Sequence, residues 1–264
     1  MALTATFDAL LCRVRLAASG LNVAATTCTV DRTTDGIRYA VVRGGTAHTV
    51  SSGTASLDDY EFPAGVATTY RLRSYDAGGV LLDTVTATIT QDVDTAWLKV
   101  PRAPFLNLPV DVSVRLDKGR EARGGLFTVV NRSFPVAVGD LRGSQSFTLN
   151  IRTQTAAEEK ALDYTLSTGD VVFLQAPSSE DQFPTGYFSV GSVSWGPERR
   201  YSKRRIWALD MVEVAEPGPD IIGSAYTNAS VLFDYATVSA VIAANATISD
   251  LLNRTATPAE VIVP

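Results

Sequence analysis

Thr68-Thr69-Tyr70-Arg71-Leu72-Arg73-Ser74-Tyr75-Asp76-Ala77-Gly78-Gly79-Val80-Leu81-Leu82-Asp83-Thr84-Val85-Thr86-Ala87-Thr88-Ile89-Thr90-Gln91 decides the reading of the first third of the chain. Tyr70 and Leu72 stand two apart, on one face of a strand over 68–75. Asp76-Ala77-Gly78-Gly79 is turn chemistry. Beyond it Val85, Ala87 and Ile89 alternate with Thr84, Thr86, Thr88 and Thr90, which predicts a second strand with one wet face, as antiparallel sheets carry. Working outward, Leu10–Leu16 alternates, and Thr26–Arg32 and Arg38–Arg43 flank Thr34-Asp35-Gly36, a hairpin signal. Gly44-Gly45 then breaks the chain. About seven short strands within residues 1–94 predict an immunoglobulin-like sandwich.

Composition supports a β-rich, folded protein. The chain has 264 residues, enough for about two domains. Thr and Val number 29 each, against 4 Lys and 2 Met, and β-branched residues favour strands. A net charge of −5 gives no global positive field for nucleic acid or an anionic membrane. Cys12, Cys28 and the single histidine, His48, leave no donor set for a Cys/His zinc site, and no cofactor is expected. Cys12 alternates with Leu10, Val14 and Leu16, and Cys28 with Val30, so both are expected as buried free thiols. Asp8, Arg13 and Arg15 interrupt the apolar start, unlike a secretion signal, and no run approaches about 18 apolar residues. The expectation is synthesis in a cytoplasm without membrane insertion.

Residues 95–104, with Pro101 and Pro104, are expected to link the first domain to a second over 105–219. There Val110, Val112, Val114 and Leu116 alternate with polar residues, as do Phe147, Leu149 and Ile151. A helix is predicted over Ala156–Ser167: Thr155 and Glu158 make a capping box, Gly169 suits the C-terminal cap, and Ala161, Leu162 and Leu166 supply the apolar stripe. Strands over Val171–Leu174, Tyr187–Trp195 and Arg205–Val214 follow. Strands, one helix, then strands describe an α+β sandwich or split barrel.

The remaining residues, 220–264, hold a ten-residue repeat. Thr227, Thr237, Thr247 and Thr257 recur, each followed by an apolar pair: Val231-Leu232, Val241-Ile242, Leu251-Leu252 and Val261-Ile262. Thr247-x-x-Asp250 and Thr257-x-x-Glu260 are N-capping arrangements. Two readings stand: serial short turns, or one helix over 236–253 with Val238, Val241, Ile242, Ile248 and Leu252 as its stripe. In either, one turn cannot bury its pair alone, so the pairs are expected to dock on a partner surface.

Other candidates are weighed against plain structural roles. Arg199, Arg200, Tyr201 and Arg204, in the run Glu198–Arg205, could contact an anionic partner or form a solvated hairpin tip. Asp58, Asp59 and Glu61 could serve glycoside hydrolysis, but charges beside a strand commonly solvate a loop. His48 has no catalytic partner in sequence. Trp97, Trp195 and Trp207 could stack sugars, with Trp195 and Trp207 expected in the core.

Two resemblances add to this. Thr29–Tyr39, Val42–Gly45, Asp59–Gly65 and Tyr70–Asp76 resemble a fibronectin type III module over about 70 residues, a fold that hosts many functions. The second domain and tail resemble minor tail proteins of long-tailed bacteriophages, especially those of actinobacterial hosts. Asn131–Asp140, Ser146–Thr153, Ala157–Leu162, Gly169–Leu174 and Tyr187–Val193 carry that likeness, together with the tandem Thr-x-x-Asp/Glu tail. It implies a virion structural subunit of a tail tip or baseplate, a distal-tail-like homo-oligomer in a ring around the tail axis, without catalytic residues. Its expected partners are copies of itself, the tail tube, and tail-tip hub or tape-measure-associated proteins. A carbohydrate-binding adhesin contacting host cell-wall glycan through residues 1–94 is the alternative.

Overall fold

The computed structural model describes residues 1–112, 117–128, 130–131, 133–180, 183–200 and 202–218. The repeat over 220–264, with all eight of its apolar-pair residues, lies outside the described residues.

The protein is mainly β. Its first part contains β1 (Ala2–Asp8), β2 (Arg13–Ser19), β3 (Thr27–Thr33), β4 (Ala40–Val41), β5 (His48–Thr49), β6 (Ala55–Asp59), β7 (Thr68–Tyr75) and β8 (Leu81–Ile89). One antiparallel sheet runs β1-β2-β6; a second runs β4-β3-β7-β8, with β5 also on β3. Their inner faces share one core, Leu3, Val14 and Leu16 from the first against Cys28, Val30, Tyr70 and Leu72 from the second. β7 buries every second residue, as its alternation demands. Asp76 caps the β7–β8 turn by accepting the Gly78 and Val80 amides at 2.8 Å each. The strand expected over Leu10–Leu16 starts instead at Arg13. Residues 9–12 turn the chain from β1 into β2, Leu10 is exposed, and Cys12 takes a left-handed φ of 46°.

The second part contains β9 (Ala96–Lys99), β10 (Leu108–Val112), β11 (Gly119–Arg120), β12 (Gly124–Phe127), β13 (Val136–Gly139), β14 (Gln145–Thr153), α1 (Ala156–Ser167), β15 (Val172–Gln175), β16 (Gly186–Pro197) and β17 (Arg205–Glu213). The main sheet runs β10-β9-β15-β16-β17-β14-β11, and β10 also pairs with β14, so six strands close into an antiparallel ring. Leu98, Val110, Leu149, Ile151, Phe188 and Leu209 fill its core. Thr155 accepts the Glu158 amide and Glu158 accepts the Gln154 amide, while Gly169 at φ 67° closes the far end of the helix. Leu162 and Thr165 are the buried residues of α1; Ala161, expected in its buried stripe, is exposed.

The stretch expected as a linker is the correction. It carries β9, which pairs with β10 on one side and β15 on the other and is buried along its whole length. The two-residue alternation explains the burial: Trp97 enters the first core, while Ala96 and Leu98 enter the second. A linker composition gave way to a strand wedged between two cores.

Candidate functional site

Three features beyond the two cores can do work: a polar joint between the domains, a projecting hairpin and an open cleft. The joint follows from β9. Its last residue, Lys99, faces the first domain and is buried. Its ammonium donates to the Cys12 carbonyl at 2.7 Å, the Tyr60 carbonyl at 2.6 Å and the Gln175 side-chain oxygen. Three acceptors match the three ammonium hydrogens. Burial holds the Lys99 pKa below its ordinary value, so these acceptors carry the cost of its desolvation. Gln175 in turn donates to the Phe62 carbonyl at 2.9 Å. Ser178 and Val93 exchange two more bonds, at 2.7 and 2.8 Å. Farther along, Arg43 pairs with Glu61 at 2.9 Å and donates to the Gly218 carbonyl at 2.9 Å.

The carboxylates considered for hydrolysis are internal ties. Asp58 pairs with Arg13 and with Arg15. Asp59 is buried, pairs with Arg32 and accepts the Tyr70 hydroxyl at 2.9 Å. Burial first, and the Asp59 charge second, push the Tyr70 pKa up. Glu61 is held by Arg43. His48 sits on β5, partly buried, and its pKa is lowered by desolvation. Cys12 and Cys28 are free and buried; burial raises both, Cys28 to about 11. Among the described residues no group of three or more His, Cys, Asp or Glu could hold a metal ion, and no helix is long and apolar enough to cross a membrane.

Arg199, Arg200 and Arg204 lie exposed in the turn joining β16 to β17, closed by the Ser202 amide donating to the Arg199 carbonyl at 2.9 Å. Tyr201 lies outside the described residues. Trp97 and Trp207 are buried as core residues. Trp195, expected in the core, is 55% exposed: it stacks on Trp207 at 4.8 Å and shows solvent its other face.

The hairpin is the feature the sequence reading passed over. β12 and β13 pair only with each other among the described strands. Phe127 stands opposite Val136, and Gly125 opposite Val138, so Phe127, Val136 and Val138 share one face while Leu126 occupies the other. All four are exposed. Gly124 is required by packing, because a Cβ there would meet the Val138 carbonyl at 2.6 Å, whereas one on Gly125 would press at 3.1 Å on the Phe127 ring, which is exposed and free to turn aside. The signal was available in Gly124-Gly125-Leu126-Phe127 followed by Val136-Ala137-Val138, apolar without a single buried face.

The cleft, about 1510 Å³, opens between β10, the end of β14 and α1. Val110, Ile151, Ala157, Ala161 and Leu162 give it an apolar floor. It exceeds the roughly 300–1,000 Å³ of small-molecule pockets and has room for a polypeptide segment. No protein-family model matches the chain, and no curated protein matches it.

Proposed function

We propose that the protein is a structural subunit of a bacteriophage tail tip or baseplate, assembled through contacts between copies of itself and with other tail proteins, and acting without catalysis. The observation that carries the reading is the exposed apolar hairpin on a closed β-ring, because soluble monomers rarely leave such a patch uncovered unless it binds a partner. The sequence likeness to minor tail proteins supplies the setting. The first domain is read as fibronectin type III-like, supported by three strands ordered β1-β2-β6 facing β4-β3-β7-β8 across a single core. With the polar joint fixing it to the ring, this domain projects from the assembly, and the repeat over 220–264 latches onto a neighbour.

The test is genetic complementation of a phage lacking this chain. Full-length protein restores tails that contain it, and a version lacking residues 226–264 does not enter them. Normal incorporation without the repeat sinks the latch; normal tails without the protein sink the reading as a whole.

A further inference from the structure

We propose that β8 pairs edge to edge with β8 of a second copy, antiparallel, about a twofold axis beside Ala87. The contact gives the self-assembly read above a surface in the first domain, and it rests on that reading for its setting alone. β8 ends its sheet: it pairs with β7 and, among the described strands, with no other. Every second residue of such an edge turns its N–H and C=O away from the sheet. Among the described residues, no backbone bond outside the β7 ladder reaches residues 84–90. Native edges are blunted by shortness, Lys, Pro or a bulge. β4, at the other edge of the sheet, is two residues long. β8 runs nine, and Thr84-Val85-Thr86-Ala87-Thr88-Ile89-Thr90 holds no charge, proline or glycine. Its one irregularity lies back at Ser74 and Tyr75, where buried Asp83, bonded by the Ser74 hydroxyl, closes off the free stretch.

The order of the residues selects the occupant. The stretch reads almost alike in both directions about Ala87. Two copies laid antiparallel therefore match at every position: Ala87 with Ala87, Thr86 with Thr88, Val85 with Ile89, and Thr84 with Thr90. The threonines lie on the exposed face, and Val85, Ala87 and Ile89 on the half-buried one. Hydroxyl thus meets hydroxyl on one side of the joined sheet, and apolar meets apolar on the other. A slip of one residue would set the threonine face of one copy level with the apolar face of the other. Thr69 and Thr88 already form such a pair within one copy, their hydroxyls 2.9 Å apart across β7 and β8. Joining the seven residues adds about six to eight backbone hydrogen bonds. It also covers Val85, Ala87 and Ile89, which pack half-buried on the first core. β1, the edge strand of the facing sheet, lies against β8, and its Leu3-Thr4-Ala5-Thr6-Phe7 brings no charge to that side. Identical surfaces meeting about a twofold make an isologous contact, which closes at two copies.

The experiment uses the full-length chain. Thr86→Glu with Thr88→Glu sets like charges opposite each other twice across the axis; Thr86→Glu with Thr88→Lys sets opposite charges there. Sedimentation should show wild type pairing, the like-charge variant weakened roughly tenfold or more, and the opposite-charge variant restored. Both sites are exposed, and position 86 faces Arg71 within the subunit, so the two variants should melt alike. Cross-linking reads the register independently. Thr86→Cys and Thr88→Cys, in separate, differently tagged copies, should join on mixing under mild oxidation. Thr86→Cys copies alone, whose thiols would lie on a diagonal, should join far more slowly. Cys12 and Cys28 are buried and do not compete. A wild-type chain that stays monomeric at every concentration, equal association of the two double variants, or absence of the mixed cross-link would each overturn the proposal. A chain that pairs through β8 yet never enters tails would remove the tail-protein reading and leave this contact; one that enters tails yet gives no cross-link would do the reverse.

Discussion

The Lys99 ammonium lies 2.7 Å from the carbonyl oxygen of Cys12, joining a strand of the second domain to a turn of the first. Buried, and held by two further acceptors, it ties the two parts of the chain together.

Replacing Lys99 with Met should therefore cost about 2–4 kcal/mol, because it leaves the Cys12 and Tyr60 carbonyls without their ammonium donor and the Gln175 oxygen with only the weak Cys12 thiol. Chemical denaturation should split into two transitions as the domains uncouple. One wild-type transition in the variant would contradict the role given to Lys99.

Asp59→Asn should be among the most destabilising single changes, by about 3 kcal/mol or more, since it strands the Arg32 guanidinium without its buried counter-charge. The measurement is the urea midpoint. A neutral effect would mean that the Asp59–Arg32–Tyr70 network contributes little to the fold.

His48 gives a pH dependence with a definite sign. Its folded pKa lies below the ordinary 6.5 because burial disfavours the imidazolium. Between the two values the unfolded chain binds the additional proton, so stability rises with pH across that window. Stability is lost as pH falls from about 6.5 toward the folded pKa, and His48→Gln should remove this component. Being the single histidine, its ring proton resonances report the folded pKa directly; a midpoint above 6.5 would reverse the argument.

Both thiols should resist labelling by a disulfide reagent in the native protein and react together on unfolding. Each is buried, and the Cys28 pKa stands at about 11, leaving little thiolate at neutral pH. Rapid modification of either one in the native state would show that the core opens.

Much of the fold was legible where one period governed a segment. Thr68–Tyr75 forms a strand over the residues its alternation marked, and Thr155, Glu158 and Gly169 bound the helix as their capping chemistry requires. Legibility failed where a residue answered to two neighbours at once. Trp97 and Leu98 serve different cores, so β9 shows no wet face and its flanking prolines read as a linker. Trp195 sits in a strand as expected, yet its exposure depends on a ring of partners that one strand cannot reveal. The β12–β13 hairpin escaped notice for the opposite reason. Leu126, Phe127 and Val138 have no core to face within one subunit, so no amphipathic period marks them.

The proposal at stake is that this chain assembles with copies of itself and that the exposed β12–β13 hairpin takes part. The measurement that tests it most directly is the native mass of the full-length chain across a range of concentrations, with Phe127→Asp beside it. One discrete species at a whole multiple of 28.2 kDa, lost in the variant, is the result the account requires. A single 28.2 kDa mass at all concentrations would contradict it.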